Sequence, residues 1–227
     1  MGKKAERFRR GRIGLLGGTF NPIQNGHLRA AEAVRARFDL DRIMFIPSFI
    51  PPHKQDCGMA SPKQRLEMVE RAVSSIPGFE ASPLEVEAEG TSYSILTLNK
   101  VKQHYPRSVI CFILGIDAFL EIETWREYER VLGQCSFVVV SRPGFSMDQV
   151  PPLAGRFKQK IVVLPAQGPV PDIHPSAVTI FLLQIEALEV SSTEVRERVR
   201  RGKSIKGLVP ESVEAYIREN KLYQEGQ

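Results

Sequence analysis

Short apolar, largely β-branched runs recur along the chain at Ile13–Leu16, Arg42–Ile46, Val109–Leu114, Phe137–Val140 and Ile161–Leu164, each followed by Gly, Pro, Ser or Asp. Runs of this length that stop at turn-forming residues predict strands buried on both faces. Between them, apolar positions return at helical spacing: Leu28, Ala31, Val34 and Phe38, then Leu66, Val69 and Val73, then Ile95, Leu98 and Val101. The alternation predicts an α/β fold with a doubly wound, mostly parallel sheet and a small helical part at the C-terminus. The Pro-rich stretches Pro47–Pro52 and Pro165–Pro175 read as loops within one domain, and no internal repeat interrupts the pattern.

Composition adds one correction to a first impression. The 227 residues carry a formal charge of +5, which on its face suggests a nucleic-acid partner. Residues 1–12, however, hold six basic side chains against Glu6 alone, so residues 13–227 carry 25 basic and 25 acidic groups and are formally neutral. We read 1–12 as a solvated basic tail and 13–227 as a single domain, with neither nucleic acid nor membrane as partner. No apolar segment follows the tail as in a secretory signal, and no run approaches the roughly 18 residues of a membrane span, so a cytoplasmic location is expected. The three cysteines, Cys57, Cys111 and Cys135, form no C-x-x-C pair, and two lie in apolar strand-like runs; buried thiols in a reducing compartment are the expectation.

In an open α/β sheet, ligands bind beyond the carboxyl ends of the strands. The first strand ends in Gly17-Gly18-Thr19-Phe20-Asn21-Pro22-Ile23-Gln24-Asn25-Gly26-His27, and a helical pattern begins at once. Adjacent glycines let the backbone turn tightly and a ligand come close, while a helix N-terminus offers N–H groups to an anion. This is the physics of a phosphate site. Neither common phosphate fingerprint is present: there is no G-x-G-x-x-G, and Gly202-Lys203-Ser204 lacks the glycine five residues earlier. A second candidate is Val190-Ser191-Ser192-Thr193-Glu194-Val195-Arg196, after the apolar run Ile180–Ile185. Ser191 and Glu194 have capping-box spacing, so a helix start is expected whatever the function. Arg196 would then sit one turn in, beside the helix's positive end, which the macrodipole disfavours unless an anion neutralises both.

The stretch from Gly17 to His27 resembles the signature of the nucleotidyltransferase superfamily, in which a (His/Thr)-x-Gly-His sequence opens the first helix. His27 matches its second His, and the resemblance implies contact with the α-phosphate of ATP. The first His or Thr is Gln24 here, whose amide can donate a hydrogen bond without becoming a cation. Gly17, Gly18, Thr19, Phe20 and Gly26 would line the same phosphate turn. Ser191, Ser192, Thr193 and Arg196 are similar to the superfamily's Ile-Ser-Ser/Ala-Thr-x-(Ile/Val)-Arg motif, which holds the β- and γ-phosphates.

Further segments narrow the resemblance to bacterial nicotinate-mononucleotide adenylyltransferases. They are Pro47-Ser48-Phe49-Ile50-Pro51-Pro52-His53-Lys54, Gly90-Thr91-Ser92-Tyr93-Ser94, Gly115-Ile116-Asp117, Thr124-Trp125 and the C-terminal Val209-Pro210, Tyr216-Ile217 and Leu222-Tyr223. The resemblance implies that Trp125 stacks on a pyridine ring. Backbone groups at Thr91, Ser92 and Tyr93, and at Arg126 just after Trp125, would receive the nicotinate carboxylate. Lys54 would reach the phosphates, and Gly115 and Asp117 would line the nucleotide cleft; Arg142, by its own place at the end of the strand at Val140, is read as facing the nucleotide. On residue chemistry alone, Trp125 is equally a loop anchor, Lys54 a solvated lysine, Asp117 a helix cap and Arg142-Pro143-Gly144 a bare turn.

The resemblance therefore implies adenylyl transfer from ATP to nicotinate mononucleotide, with Mg²⁺ arriving on ATP and no standing metal site. His27, Gln24, Lys54 and Arg196 would do the chemistry. An adenylyltransferase for nicotinamide mononucleotide or phosphopantetheine, and a nucleotide binder inactivated by Gln24, stay open as alternatives. A homo-oligomer is compatible with the sequence.

Overall fold

The computed structural model describes residues 11–52, 58–152, 159–165, 167–169, 171, 173, 178–186 and 188–224. Lys54, part of the candidate site, lies outside the described residues, as do Cys57 and residues 1–10 of the basic tail.

The strands are β1 (Arg12–Gly18), β2 (Arg42–Pro47), β3 (Phe79–Ala81), β4 (Val109–Gly115), β5 (Ser136–Val140), β6 (Lys160–Leu164) and β7 (Thr179–Leu183). They form one sheet in the order β3-β2-β1-β4-β5-β7-β6, and every pairing is parallel. The helices are α1 (Asn25–Phe38), α2 (Pro62–Val73), α3 (Ser94–His104), α4 (Ile116–Leu120), α5 (Tyr128–Leu132), α6 (Ser192–Arg200) and α7 (Glu211–Glu219).

Side chains alternate across each strand, and the core divides accordingly. Ile43 and Phe45 of β2, Cys111 and Ile113 of β4, and Val138 and Val140 of β5 face a cluster completed by α1, α2, α6 and α7. Met44, Ile46, Ile110, Phe112, Leu114, Phe137 and Val139 face the other cluster, completed by α3, α4 and α5. The sheet is thus wound on both faces, as expected. Strand order reverses between β1 and β4, so the crevice at their carboxyl ends is the natural ligand site.

One expectation needs correction, and β3 and β7 are strands beyond the five expected. Ile161–Leu164 is not buried on both faces: β6 is an edge strand with Val163 71 % exposed, because β7 lies between it and β5. β3 has only three residues, too few to show an apolar period, and is held by register with Ile43–Phe45. Cys111 and Cys135 are both buried, and burial pushes the Cys135 thiol up to about 12 and the Cys111 thiol higher still. Neither serves as a nucleophile near neutral pH. No described helix is long and apolar enough to cross a membrane.

Candidate active site

A cleft of about 1260 Å³ opens at the carboxyl ends of β1 and β4. Drug-sized ligands occupy pockets of roughly 300–1,000 Å³, so this one has room for two reactants. Of the candidate residues described, all but one line it: Gly17, Gly18, Thr19, Phe20, Gln24, Gly26 and His27; Ser92 and Tyr93; Gly115, Asp117, Trp125, Arg126 and Arg142; and Ser191, Ser192, Thr193 and Arg196. The exception is Thr91, which is exposed outside the cleft and pairs through a β-bridge with Ile50.

After Gly18 the chain enters a turn with Phe20 at φ +46 and a cis Asn21-Pro22 peptide. The Phe20 ring is buried edge-on to the His27 imidazole, 5.2 Å between centroids. Gln24 then caps α1: its Oε1 accepts from the backbone N–H groups of Gly26 and His27, while the Gln24 N–H donates to His27 Nδ1 at 3.1 Å. The two signature positions therefore form a reciprocal capping box. Because Nδ1 accepts, the ring proton resides on Nε2. A Cβ at Gly26 would lie 2.6 Å from Gln24 Oε1, so any larger residue there would displace the capping side chain.

This geometry gives Gln24 a structural role. Gln24 is 2 % exposed, and its Nε2 donates to the Val190 carbonyl at 3.1 Å, at the start of the second candidate motif. The side chain caps the helix and joins two segments, with one of the two Nε2 hydrogens on the Val190 carbonyl. Two more bonds run between the same segments: Ser192 Oγ to the Pro22 carbonyl at 2.8 Å and Arg196 Nη1 to the Asn21 carbonyl at 3.0 Å. Arg196 thus has partners where the macrodipole alone would disfavour it. Ser191 caps α6 by accepting from the Glu194 N–H at 3.0 Å, whereas the Glu194 carboxylate turns to Arg198 instead of closing the expected box.

Across the cleft, Arg142 donates to Asp117 Oδ2 at 2.5 Å, so the Arg142 turn faces the cleft. Asp117 Oδ1 is buried without a hydrogen-bond partner among the described residues. Gly115 makes room for both, since a Cβ there would lie 2.4 Å from Asp117 Oδ1. Trp125 is half-buried after the 3-10 turn Ile122–Thr124, with its ring tilted 67° against Phe112. The Arg126 guanidinium lies 4.8 Å from the Tyr93 ring centroid, a cation–π contact tying the loop before α3 to the loop before α5.

Several lining or supporting groups escaped the sequence reading. Ser48 Oγ is buried in the cleft wall with no hydrogen-bond partner among the described residues. Glu85 lines the same end, accepts from Thr97 Oγ1, and has its carboxyl pushed up by burial against the opposing pull of hydrogen bonds from Thr97 and Ser92. Arg65 is fully buried and donates to the carbonyls of Ala60, Thr19 and Phe49 at 3.0, 2.7 and 2.9 Å. An arginine in a helical pattern gives no sign that it will turn inward. The signal available for Ser48 was its place just after β2.

A parallel doubly wound sheet with a Gly-rich turn and two stitched helix starts around one cleft defines a nucleotide-binding transferase site. The profile of the cytidylyltransferase-like family matches residues 15–198. A Geotalea daltonii protein named "probable nicotinate-nucleotide adenylyltransferase" is 43% identical over 218 residues, covering 95% of this chain and 99% of that one. A Moorella thermoacetica protein of the same name is 40% identical over 217 residues, covering 95% and 93%. The chain belongs to the cytidylyltransferase-like family and, within it, to the nicotinate-nucleotide adenylyltransferases. In fold it is similar to Plasmodium falciparum nicotinic acid mononucleotide adenylyltransferase complexed with NaAD, at a TM-score of 0.71 and 20% identity over 94% of this chain and 98% of that one.

Proposed function

We infer that this protein transfers the adenylyl group of ATP to nicotinate mononucleotide, releasing pyrophosphate and forming nicotinate adenine dinucleotide, a step of NAD biosynthesis. The observation that carries the site assignment is the joining of both phosphate motifs by three hydrogen bonds along one wall of a cleft large enough for two nucleotides.

A phosphate oxygen of the mononucleotide attacks the α-phosphorus in line. One P–O bond forms there, and the bond to the β-phosphate oxygen breaks with its electron pair leaving on pyrophosphate. Both reactants are anions, so the protein acts by positioning and by neutralising charge. His27 donates its Nε2 proton as a hydrogen bond to a non-bridging α-phosphate oxygen. Arg196, with the first amides of α6 and the hydroxyls of Ser191 and Thr193, receives the β- and γ-phosphates, while Ser192, whose hydroxyl is bonded to the Pro22 carbonyl, contributes its amide. Among the described residues, no three His, Cys, Asp or Glu side chains converge to hold a metal. In this reading Mg²⁺ is part of the substrate, bound to the triphosphate. Gly115, Asp117 and Arg142 face the adenosine.

The pyridine ring stacks on Trp125, with backbone groups at Ser92, Tyr93 and Arg126 toward its carboxylate. Trp125→Ala should weaken nicotinate mononucleotide by about 1–3 kcal/mol, the worth of one aromatic stacking surface, and leave ATP affinity nearly unchanged. Equilibrium titration of each substrate reads this; equal losses for both would indicate a collapsed loop.

The deciding assay couples pyrophosphate release to a chromophore with ATP–Mg²⁺ and nicotinate mononucleotide, nicotinamide mononucleotide or phosphopantetheine. Turnover is expected to be fastest by far with the nicotinate acceptor. Faster turnover with another acceptor would overturn the substrate assignment, and ATP binding without turnover on any would make the protein an inactive binder.

A further inference from the structure

The turn that carries the phosphate signature is held from beneath by the far end of the chain. Tyr223 is 6 % exposed, and its hydroxyl donates to Asn21 Oδ1 at 2.8 Å across 202 positions of sequence. The same oxygen accepts from the Ala60 N–H at 3.1 Å, so both acceptor directions of the Asn21 amide are used. The backbone carbonyl of Asn21 is in turn the acceptor for Arg196 Nη1. Asn21 therefore connects the C-terminal Tyr223 on one side with the phosphate-motif arginine on the other. Burial pushes the Tyr223 phenol up, with Arg196 and Arg65 each pulling it back down, so the group stays a neutral donor and both guanidinium groups lie within electrostatic reach.

We propose that Tyr223 is a positioning residue for the transfer reaction: through Asn21 its hydroxyl sets the carbonyl that aims Arg196 at the triphosphate. This rests on the reading of Arg196 as a phosphate ligand. Tyr223 touches neither reactant. Its ring belongs to the core cluster shared by α1, α2 and α7, while its hydroxyl is the one polar atom of the side chain and has a single partner among the hydrogen bonds described. Removing only that oxygen leaves the packing in place and the Asn21 amide held by the Ala60 N–H alone. The consequence falls on the ATP half of the cleft, because Arg196 is on that side and Trp125 on the other.

The test uses the full chain, with ATP–Mg²⁺ and nicotinate mononucleotide each varied in steady state. Tyr223→Phe is expected to lower kcat/KM for ATP by about 3–10-fold, the factor corresponding to one neutral hydrogen bond, while KM for the mononucleotide changes by less than about twofold. In an Arg196→Ala background, itself impaired by about tenfold or more, Tyr223→Phe should add less than about twofold, since the two act on one element. A Tyr223→Phe enzyme with wild-type kinetics beside an impaired Arg196→Ala would sink the latch alone. So would the full factor recurring in the Arg196→Ala background, or equal losses toward both substrates. An Arg196→Ala enzyme with unchanged ATP kinetics would remove the phosphate assignment and the latch with it.

Discussion

Replacing His27 with alanine should lower kcat by about 10²–10³, or roughly 2.7–4 kcal/mol of transition-state stabilisation, with a smaller change in KM. The imidazole accepts from the Gln24 N–H through Nδ1, which leaves the proton on Nε2, and it is oriented by edge contact with the Phe20 ring. A ring held in this way costs little to reorganise as charge develops on the α-phosphate. Alanine also removes the Nδ1 acceptor from the α1 cap, so the loss has a structural share. His27→Asn separates the two, because its short carbonyl can replace Nδ1 but cannot reach as far as Nε2. Steady-state kinetics on both variants should find His27→Asn nearly as impaired as His27→Ala. Near-normal kcat in His27→Asn would reduce His27 to a capping residue.

Gln24→Ala should lower kcat/KM by about 10–100-fold together with a fall in thermal stability. The stability loss combines an N-cap worth about 0.5–2 kcal/mol with the Val190 carbonyl left unpaired at about 1–3 kcal/mol. Activity falls because the two phosphate motifs lose one of their three connecting bonds and α1 loses the cap beside His27. Gln24→His gives the sharper result. A neutral imidazole can accept from the α1 amides with one nitrogen and donate to Val190 with the other. Protonation, which for an unperturbed histidine occurs below about pH 6.5, removes the acceptor and sets a cation against helix N–H groups. Activity of Gln24→His relative to wild type should therefore decline as pH falls through that range. A relative rise would mean that position 24 donates directly to a phosphate and gains from charge.

The strands β1, β2, β4 and β5 were legible because each is buried on both sides and reads as an unbroken apolar run ending at a turn residue. β3 was not, since three residues carry no period, and β6 was misread because an edge strand can be as β-branched as a central one. The cleft residues were legible as motifs, where type and spacing together restrict the chemistry. Gly26 and His27 bracket a helix start in any fold that places a helix there. Thr91 lies in such a motif yet does not line the cleft, whereas its neighbours Ser92 and Tyr93 do.

The sequence by itself determined the local events: where strands stop, where α1 and α6 begin, and that two helix starts suited to an anion lie 167 residues apart, at Asn25 and Ser192. Those follow from short-range rules of burial, turn geometry and capping, each readable within a few residues. Only the tertiary structure decided the partners. Gln24 carries two amide hydrogens, and the Val190 carbonyl, 166 positions away, takes one of them. Arg65 looks like a surface residue until the carbonyls of Thr19, Phe49 and Ala60 converge around it, and Tyr223 looks like a core aromatic until Asn21 meets its hydroxyl. A polar side chain's local pattern reports that it needs a partner; which partner it finds depends on where the sheet brings distant segments together.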